Sequence, residues 1–300
     1  MDRFQSLQVF VKVAECGGFA AAARELAMSP PAVTRAVSAL EQRIDTRLLI
    51  RTTRSVRLTE SGERFLQDSR RILADLEEAE EAAVGSHAAP RGELRITAPV
   101  LFGRIYVTPI LGDFLDCYPQ VTCQTLFVDR IVNLMDEGLD VGIRIGELPD
   151  SSLTAIRAGS VCRAVFAAPS YLEKHGRPQH PRDLTQHRLI KSLSISSAME
   201  WLFQDKGRPL SIPIEPRLRM NTNDAVAEMV ARGWGISRLL SYQIAPLLAQ
   251  GRVEAILTEF ERPPIPIHVV HQEGRRVSSK VRAFVDFMVE RLRADSAINK

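Results

Sequence analysis

Residues 19–62 read FAAAARELAMSPPAVTRAVSALEQRIDTRLLIRTTRSVRLTESG. Ala20 to Ala27 consists almost wholly of strong helix formers, and its alanines let another helix approach closely. Met28-Ser29 is a very short break before Pro30-Pro31. Proline is tolerated at the first helical position, where the amide is unpaired anyway, so a helix starts here with Ser29 or Pro30 as its cap. Within it Val33, Val37, Leu40 and Ile44 form a core stripe, while Thr34, Arg35 and Ser38 lie on the opposite face near the N-terminus. Upstream, Phe4, Leu7, Phe10, Val11 and Ala14 recur at helical spacing until Gly17-Gly18 ends that helix. Two helices joined by a tight turn, the second exposing small polar and Arg side chains at its start, is the helix-turn-helix arrangement that enters a DNA major groove. From the helices alone, a generic three-helix bundle with a polar surface fits equally.

The next residues shift the balance. Leu48-Leu49-Ile50 and Ser55-Val56-Arg57-Leu58 read as short strands flanking Arg51-Thr52-Thr53-Arg54. A β-ribbon this basic has little packing rationale, and it suits a wing laid along phosphates or a narrow minor groove. Residues 1–58 hold nine Lys/Arg and five Asp/Glu, a balance of +4, whereas residues 59–87 hold three Arg and eight Asp/Glu, a balance of −5. The asymmetry points the basic head at a polyanion. The candidate DNA-contacting residues are Ser29, Pro30, Pro31, Thr34, Arg35 and Ser38, with Arg51 and Arg54 on the wing.

The stretch 19–62 resembles the winged helix-turn-helix of LysR-type transcriptional regulators in residue order, spacing and length. The family commonly carries Gln or Ser where Pro30 stands, and Pro-Pro is a familiar variant. Residues 60–84, ESGERFLQDSRRILADLEEAEEAAV, should form one long helix. Its apolar seam (Leu58, Gly62, Phe65, Ser69, Ile72, Leu76, Ala79, Ala83) alternates spacings of four and three. Such a seam either packs on its own domain or pairs with a second helix. With nothing nearby in sequence to cover it, a dimerising helix is expected, matching the family's linker helix. Two-fold symmetry then sets DNA half-sites about one helical turn (~10 bp) or a multiple of it apart. The expected domains are 1–58 (winged helix-turn-helix), 59–87 (dimerising helix) and 92–300 (effector-binding), with Gly85–Gly92 as the break.

From Glu93 strands alternate with helices. Strands are expected at 94–97, 121–128, 139–145, 161–168, 212–219 and 267–270. Helices are expected at 104–117, 131–137, 170–175, 223–231, 242–249 and 278–292. The alternation implies a largely parallel sheet covered on both faces, as one sheet or two small ones. GELRITAPVLFGRIYVTPILGDFLDCYP (92–119) and DRIVNLMDEGLDVGIRIGELPDSSL (129–153) resemble the LysR-type effector domain, as do GRVEAIL (251–257) and SKVRAFVDFM (279–288). The resemblance implies a periplasmic-binding-protein-like α/β fold. Lobe I would span 92–161 and 267–300, lobe II 162–266, with an effector between them.

Ligands of open α/β sheets bind beyond the carboxyl ends of strands, near helix N-termini. This nominates Pro99, Val100, Leu101, Arg130, Arg144, Gly146, Asn221 and Thr222, although a structural ion pair is an equal reading of Arg144. Relatives usually place Ser or Thr at Leu101, where the hydroxyl helps hold an anionic effector. Leucine therefore favours a larger or more apolar ligand.

Three hundred residues allow about two domains, and 45% apolar with 25% charged residues excludes disorder. No apolar run approaches the ~20 residues that span a bilayer, and charges within the N-terminal apolar stretch argue against a signal peptide. Four cysteines without CxxC or metal-ligand spacing read as reduced structural thiols in a cytoplasmic protein. No GxSxG, GxxxxGK, HExxH or strand-linked GxGxxG is present, and the six histidines are scattered, so no catalytic, metal or cofactor site is nominated. The expected protein is thus a non-enzymatic homodimeric or homotetrameric regulator that binds double-stranded DNA and a small-molecule effector, with no membrane association. The alternative, a small-molecule carrier or enzyme with an assembly bundle, leaves the basic wing unexplained.

Overall fold

The computed structural model describes residues 2–51, 56–84, 89–148, 153–194, 198–272 and 278–299; the side chains at 51, 71, 74, 75 and 77–84 also lie outside the description. The chain divides into two compact units: an N-terminal one of Met1–Ala88 with Met135–Gly138 and Gly274–Ser279, and a C-terminal one of Ala89–Leu134, Leu139–Glu273 and Lys280–Lys300.

In the N-terminal unit α1 (Arg3–Cys16) ends on Gly17, whose φ of 61° is the left-handed cap that glycine adopts without strain. The helix α2 (Phe19–Glu25) stops short of the expected Ala27, because Ala27 itself takes a φ of 50° and turns the chain. Ser29 caps α3 (Pro30–Arg43) in extended geometry and Pro30 opens the first turn, which resolves the two capping alternatives. A ribbon pairs β1 (Leu49–Arg51) antiparallel with β2 (Val56–Leu58), and α4 (Glu60–Val84) follows. Phe10 and Val13 of α1, Ala22 and Ala23 of α2, Val33, Val37 and Leu40 of α3, and Leu48-Leu49 share one buried core.

Thr59 starts α4. Its hydroxyl accepts the amide of Gly62 at 2.9 Å and donates to the Arg47 carbonyl at 2.8 Å. Gly62 is required by close approach, since a Cβ there would stand 2.1 Å from the Leu48 carbonyl oxygen. The helix seam is therefore partly covered by its own domain. Phe65 stacks on Phe10 with ring centroids 5.6 Å apart, Ser69 is fully buried, and Leu66 and Leu73 join the head core. Among the described seam residues only Ile72 is exposed, with Leu76 half-buried beyond it; Ala79 and Ala83 lie outside the described side chains. The expectation of an uncovered seam overlooked α1, which follows the core from the other end of the head.

In the C-terminal unit, β3 (Gly92–Ala98) leads into α5 (Val100–Phe102), a π turn (Gly103–Val107) and α6 (Thr108–Cys117). Then come β4 (Val121–Phe127), β5 (Val141–Ile145), β6 (Leu153–Val161), β7 (Arg163–Ala167) and α7 (Pro169–His175). The strands β8 (Ile190–Ser192), β9 (Glu200–Asp205), β10 (Arg208–Pro213) and β11 (Leu218–Met220) precede α8 (Asn223–Ala231). Last are β12 (Ile236–Leu240), α9 (Ser241–Ala249), β13 (Glu254–Ile256), β14 (Ile265–Gln272) and α10 (Ser279–Ala294).

The first lobe's sheet has the order β4-β3-β5-β14-β6. Its first three strands are parallel, and β14 runs antiparallel to both neighbours. In the second lobe β12-β7-β13 is wholly antiparallel, β11-β8 is parallel and β9-β10 is a hairpin. The sheets are thus mixed rather than largely parallel: the chain re-enters the first lobe through β14, which runs against both neighbours, and the second lobe pairs β12 and β13 antiparallel to β7. The chain leaves the first sheet at Val161, crosses at Cys162, and returns at Ile265.

Other expectations fail locally. Residues 131–137 form irregular turns instead of a helix. Val132 and Leu134 are buried with Leu139 and Val270, and the Val132 carbonyl accepts Arg144 Nη2 at 2.7 Å rather than a helical amide. The single strand expected over 212–219 is split into β10 and β11, since Pro213 and Pro216 lack the ladder amide. The helix expected from Arg104 begins four residues earlier, at Val100.

Candidate DNA-reading head and effector site

The helix α3 buries Val33, Ala36, Val37 and Leu40, which turns its opposite face outward. On that face Ser29, Pro30, Pro31, Arg35 and Ser38 are exposed and Thr34 is half-buried. Arg35 is exposed, so its fork of donors faces outward. The wing is fixed to this helix by a residue that sequence reasoning did not single out. Glu41, on the last turns of α3, accepts the Leu48 amide at 2.9 Å and the Leu49 amide at 3.0 Å with one oxygen. The Arg51 side chain and Arg54 lie outside the described residues. Arg47 and Arg57, flanking the ribbon, are exposed.

The carboxyl ends of the parallel β3, β4 and β5 share one edge of the first sheet. There Pro99 precedes α5, Val100 is 44% exposed, and Leu101 is buried. The Val100 amide already has an anionic partner, Asp129 Oδ1 at 3.0 Å. Behind it, Phe102, Tyr106 and Tyr242 form an aromatic cluster that joins the two lobes. Centroids are 4.8 Å apart for Phe102–Tyr106, 5.3 Å for Phe102–Tyr242 and 6.1 Å for Tyr106–Tyr242. Burial lifts the Tyr242 hydroxyl well above its ordinary range against a hydrogen bond from Gln243, and the negative charge of Asp129 adds to the lift. Burial, then Asp295, raises Tyr106.

Other nominated residues are differently engaged. Arg144, on β5, is bonded to the Val132 carbonyl. Burial lowers its pKa, and its hydrogen-bond partner is a carbonyl rather than the carboxylate of a structural ion pair. Gly146, at a φ of 135°, donates its amide to the Pro266 carbonyl at 3.0 Å. Arg130 is exposed. In the second lobe Thr222 caps α8 without a side-chain bond, and Asn221 is exposed, its carbonyl accepting the Ser194 hydroxyl at 2.5 Å. Next to them Ser192 and Asn223 are both buried and bonded at 2.6 Å.

No group of three or more potential metal ligands occurs among the described residues, and none of their helices is long and apolar enough to cross a membrane.

Residues 4–63 match the family described as bacterial regulatory helix-turn-helix protein, lysR family, and residues 87–293 match the LysR substrate binding domain. The chain belongs to the LysR family. It is a DNA-binding transcriptional regulator with a substrate-binding domain. A transcriptional regulator of Xanthomonas campestris pv. campestris is 37% identical over 292 residues, covering 96% of this chain and 85% of the relative. The solved structure of CrgA, a LysR-type regulator from Neisseria meningitidis, is 30% identical with a TM-score of 0.62, covering 97% of this chain and 99% of that one. The full-length structure of the Vibrio cholerae virulence activator AphB is 26% identical with a TM-score of 0.62, covering 96% and 99%.

For this LysR-family chain, the aromatic cluster and the Ser192–Asn223 bond are features that sequence reasoning missed. Phe102 and Tyr242 are 140 residues apart, and Ser192 ends a strand only three residues long. Periodicity carries no signal over such separations. Asp129 lies beside the nominated Arg130, and its bond to the Val100 amide carries no signal in the sequence.

Proposed function

We propose that the exposed face of α3 reads base edges in the DNA major groove, and that an effector bound at the carboxyl ends of β3 and β4, against α9, controls it. One observation carries the DNA part: Pro30, Pro31, Thr34, Arg35 and Ser38 share one outward face directly opposite the buried Val33–Val37–Leu40 stripe. Arg35 bridges acceptors on a base, and Arg51 and Arg54 of the wing contact phosphates. Two copies pair along α4, on the face where Ile72 is 39% exposed. The protein works in the cytoplasm, where its DNA is, and is not an enzyme.

The effector is uncharged or cationic with an apolar body. Asp129 already occupies the Val100 amide that an anionic ligand would use, Leu101 offers no hydroxyl, and Arg144 is engaged by Val132. A second carboxylate at that amide would meet like charge.

Fluorescence anisotropy with the operator upstream of the protein's own gene tests the DNA reading. Arg35→Ala should weaken preferred-site binding by about 1–3 kcal/mol and relax base preference. Unchanged affinity for the preferred site would refute the assignment of α3.

A further inference from the structure

We propose that Glu15 and Arg70 are positioning residues for operator recognition: their ion pair fixes the angle of α4 on the reading head and so sets the half-site spacing that a dimer accepts. The proposal rests on the pairing of two copies along α4 given above.

The two helices run side by side. Phe65 of α4 meets Phe10 of α1 with ring centroids 5.6 Å apart, and five residues further along both helices Arg70 Nη2 meets Glu15 Oε1 at 3.0 Å. Five residues are about 7.5 Å of helix axis, so α1 and α4 advance in the same direction between these two contacts. Phe65, Leu66 and Leu73 also bind α4 to the head core, but through apolar surface. Apolar packing is non-directional, so it resists separation of the helices while permitting a sideways swing. The charge-assisted bond from the Arg70 fork is directional and opposes that swing.

The seat of Arg70 fits this role. Its Nε is buried and has no hydrogen-bond partner among the described residues. A desolvated donor without a partner is unfavourable by itself, so the guanidinium holds a place that Glu15 imposes on it. Glu15 is steadied in turn from its own helix, with Lys12 Nζ 3.5 Å from Oε2, which leaves Oε1 to Arg70. Leverage extends the effect. The helix continues to Val84, about 21 Å beyond Arg70 at 1.5 Å per residue. A swing of roughly 10° at Arg70 displaces that end by about 4 Å, comparable to the ~3.4 Å step of one base pair.

The test is fluorescence anisotropy of the full-length chain on the operator upstream of its own gene, with base pairs inserted between the half-sites. The wild type should lose affinity on insertion. In Glu15→Gln that penalty should shrink roughly two- to fivefold, while affinity for an isolated half-site stays unchanged. Arg70→Gln should do the same, and the double variant no more than either alone, because both remove one interaction. Arg64→Gln, whose ion pair with Glu60 stays within α4, should keep the wild-type penalty. A penalty unchanged in both Glu15→Gln and Arg70→Gln, or effects that add in the double variant, overturns the proposal. So does loss of isolated half-site binding in both, since the pair would then hold the fold of the head rather than the angle of α4. A wild type indifferent to the insertions refutes the pairing along α4 and the proposal with it, whereas a wild-type penalty that both variants retain refutes the proposal alone.

Discussion

Replacing Gly62 with alanine sets helix propensity against packing. In a helix interior alanine is preferred over glycine by about 1 kcal/mol. At residue 62, however, the new Cβ would lie 2.1 Å from the Leu48 carbonyl oxygen, 3.0 Å from its carbon and 3.2 Å from Leu58 Cδ2. Ordinary contact is ~3.5 Å, so the start of α4 and the entry to β1 must separate by more than about 1 Å. The obstacle is backbone, which no rotamer change can move. Overpacking of this kind costs about 1–3 kcal/mol. The displaced carbonyl also accepts the Thr59 amide at 2.9 Å and its hydroxyl at 3.3 Å, and weakening these adds about 1 kcal/mol. Subtracting propensity leaves a net loss of about 1–3 kcal/mol. Trp201 and Trp234 both belong to the C-terminal unit, so tryptophan fluorescence reports on the other part of the chain. Hydrogen exchange of amides in residues 30–60 is the suitable assay, with opening expected to rise roughly 5- to 150-fold. Unchanged or slower exchange in Gly62→Ala would show that propensity dominates and that the contact with Leu48 does not constrain the head.

Further outcomes can be measured alongside. Glu41→Ala leaves the Leu48 and Leu49 amides without their acceptor, so exchange at those amides should accelerate while the core of α3 stays protected. Arg144→Met removes the bond to the Val132 carbonyl, and peptides spanning 129–139 should exchange faster, with far-UV circular dichroism unaltered. Unchanged exchange there would show that burial of Val132 and Leu134 alone holds the segment. Burial, then nearby His175, depresses the His187 pKa, with Asp183 opposing. The native state therefore binds fewer protons than the unfolded chain below the ordinary histidine value of ~6.5, and stability is lost as pH falls from there toward the lowered value. His187→Gln should flatten the fall of the melting temperature as pH drops below about 6.5; an identical slope in both proteins would assign the acid sensitivity elsewhere.

The head was legible because its signals are local. A proline pair after a two-residue break, a stripe at helical spacing and paired short strands each act within a few residues. The long helix was equally plain, yet its seam was assigned entirely to a partner, since α1 lies over forty residues upstream of the residues it covers. In the C-terminal unit β3, β4, β5 and β14 were readable as apolar runs, whereas β6, interrupted by Thr154, Arg157 and Ser160, was not expected as a strand. Segment 131–137 was not legible either, because only Val132 and Leu134 of its apolar residues are buried while Ile131 and Met135 are exposed. The strands β8 and β13 are too short for any periodicity. Of the candidate site, the turns after β3 and β4 followed from the general rule for open sheets. What fills them depended on tertiary neighbours: Asp129 at the Val100 amide, Tyr242 against Phe102.

The carboxylate of Glu41 and the hydroxyl of Thr59 have a joint implication. One clamps the ribbon to the reading helix, and the other clamps the ribbon to the start of the long helix. Groove-reader, wing and stem thus translate and rotate together, like a stamp fixed to its handle. A metabolite signal cannot tune recognition by retilting these parts against each other; it is left with repositioning one whole stamp relative to its twin on the same duplex.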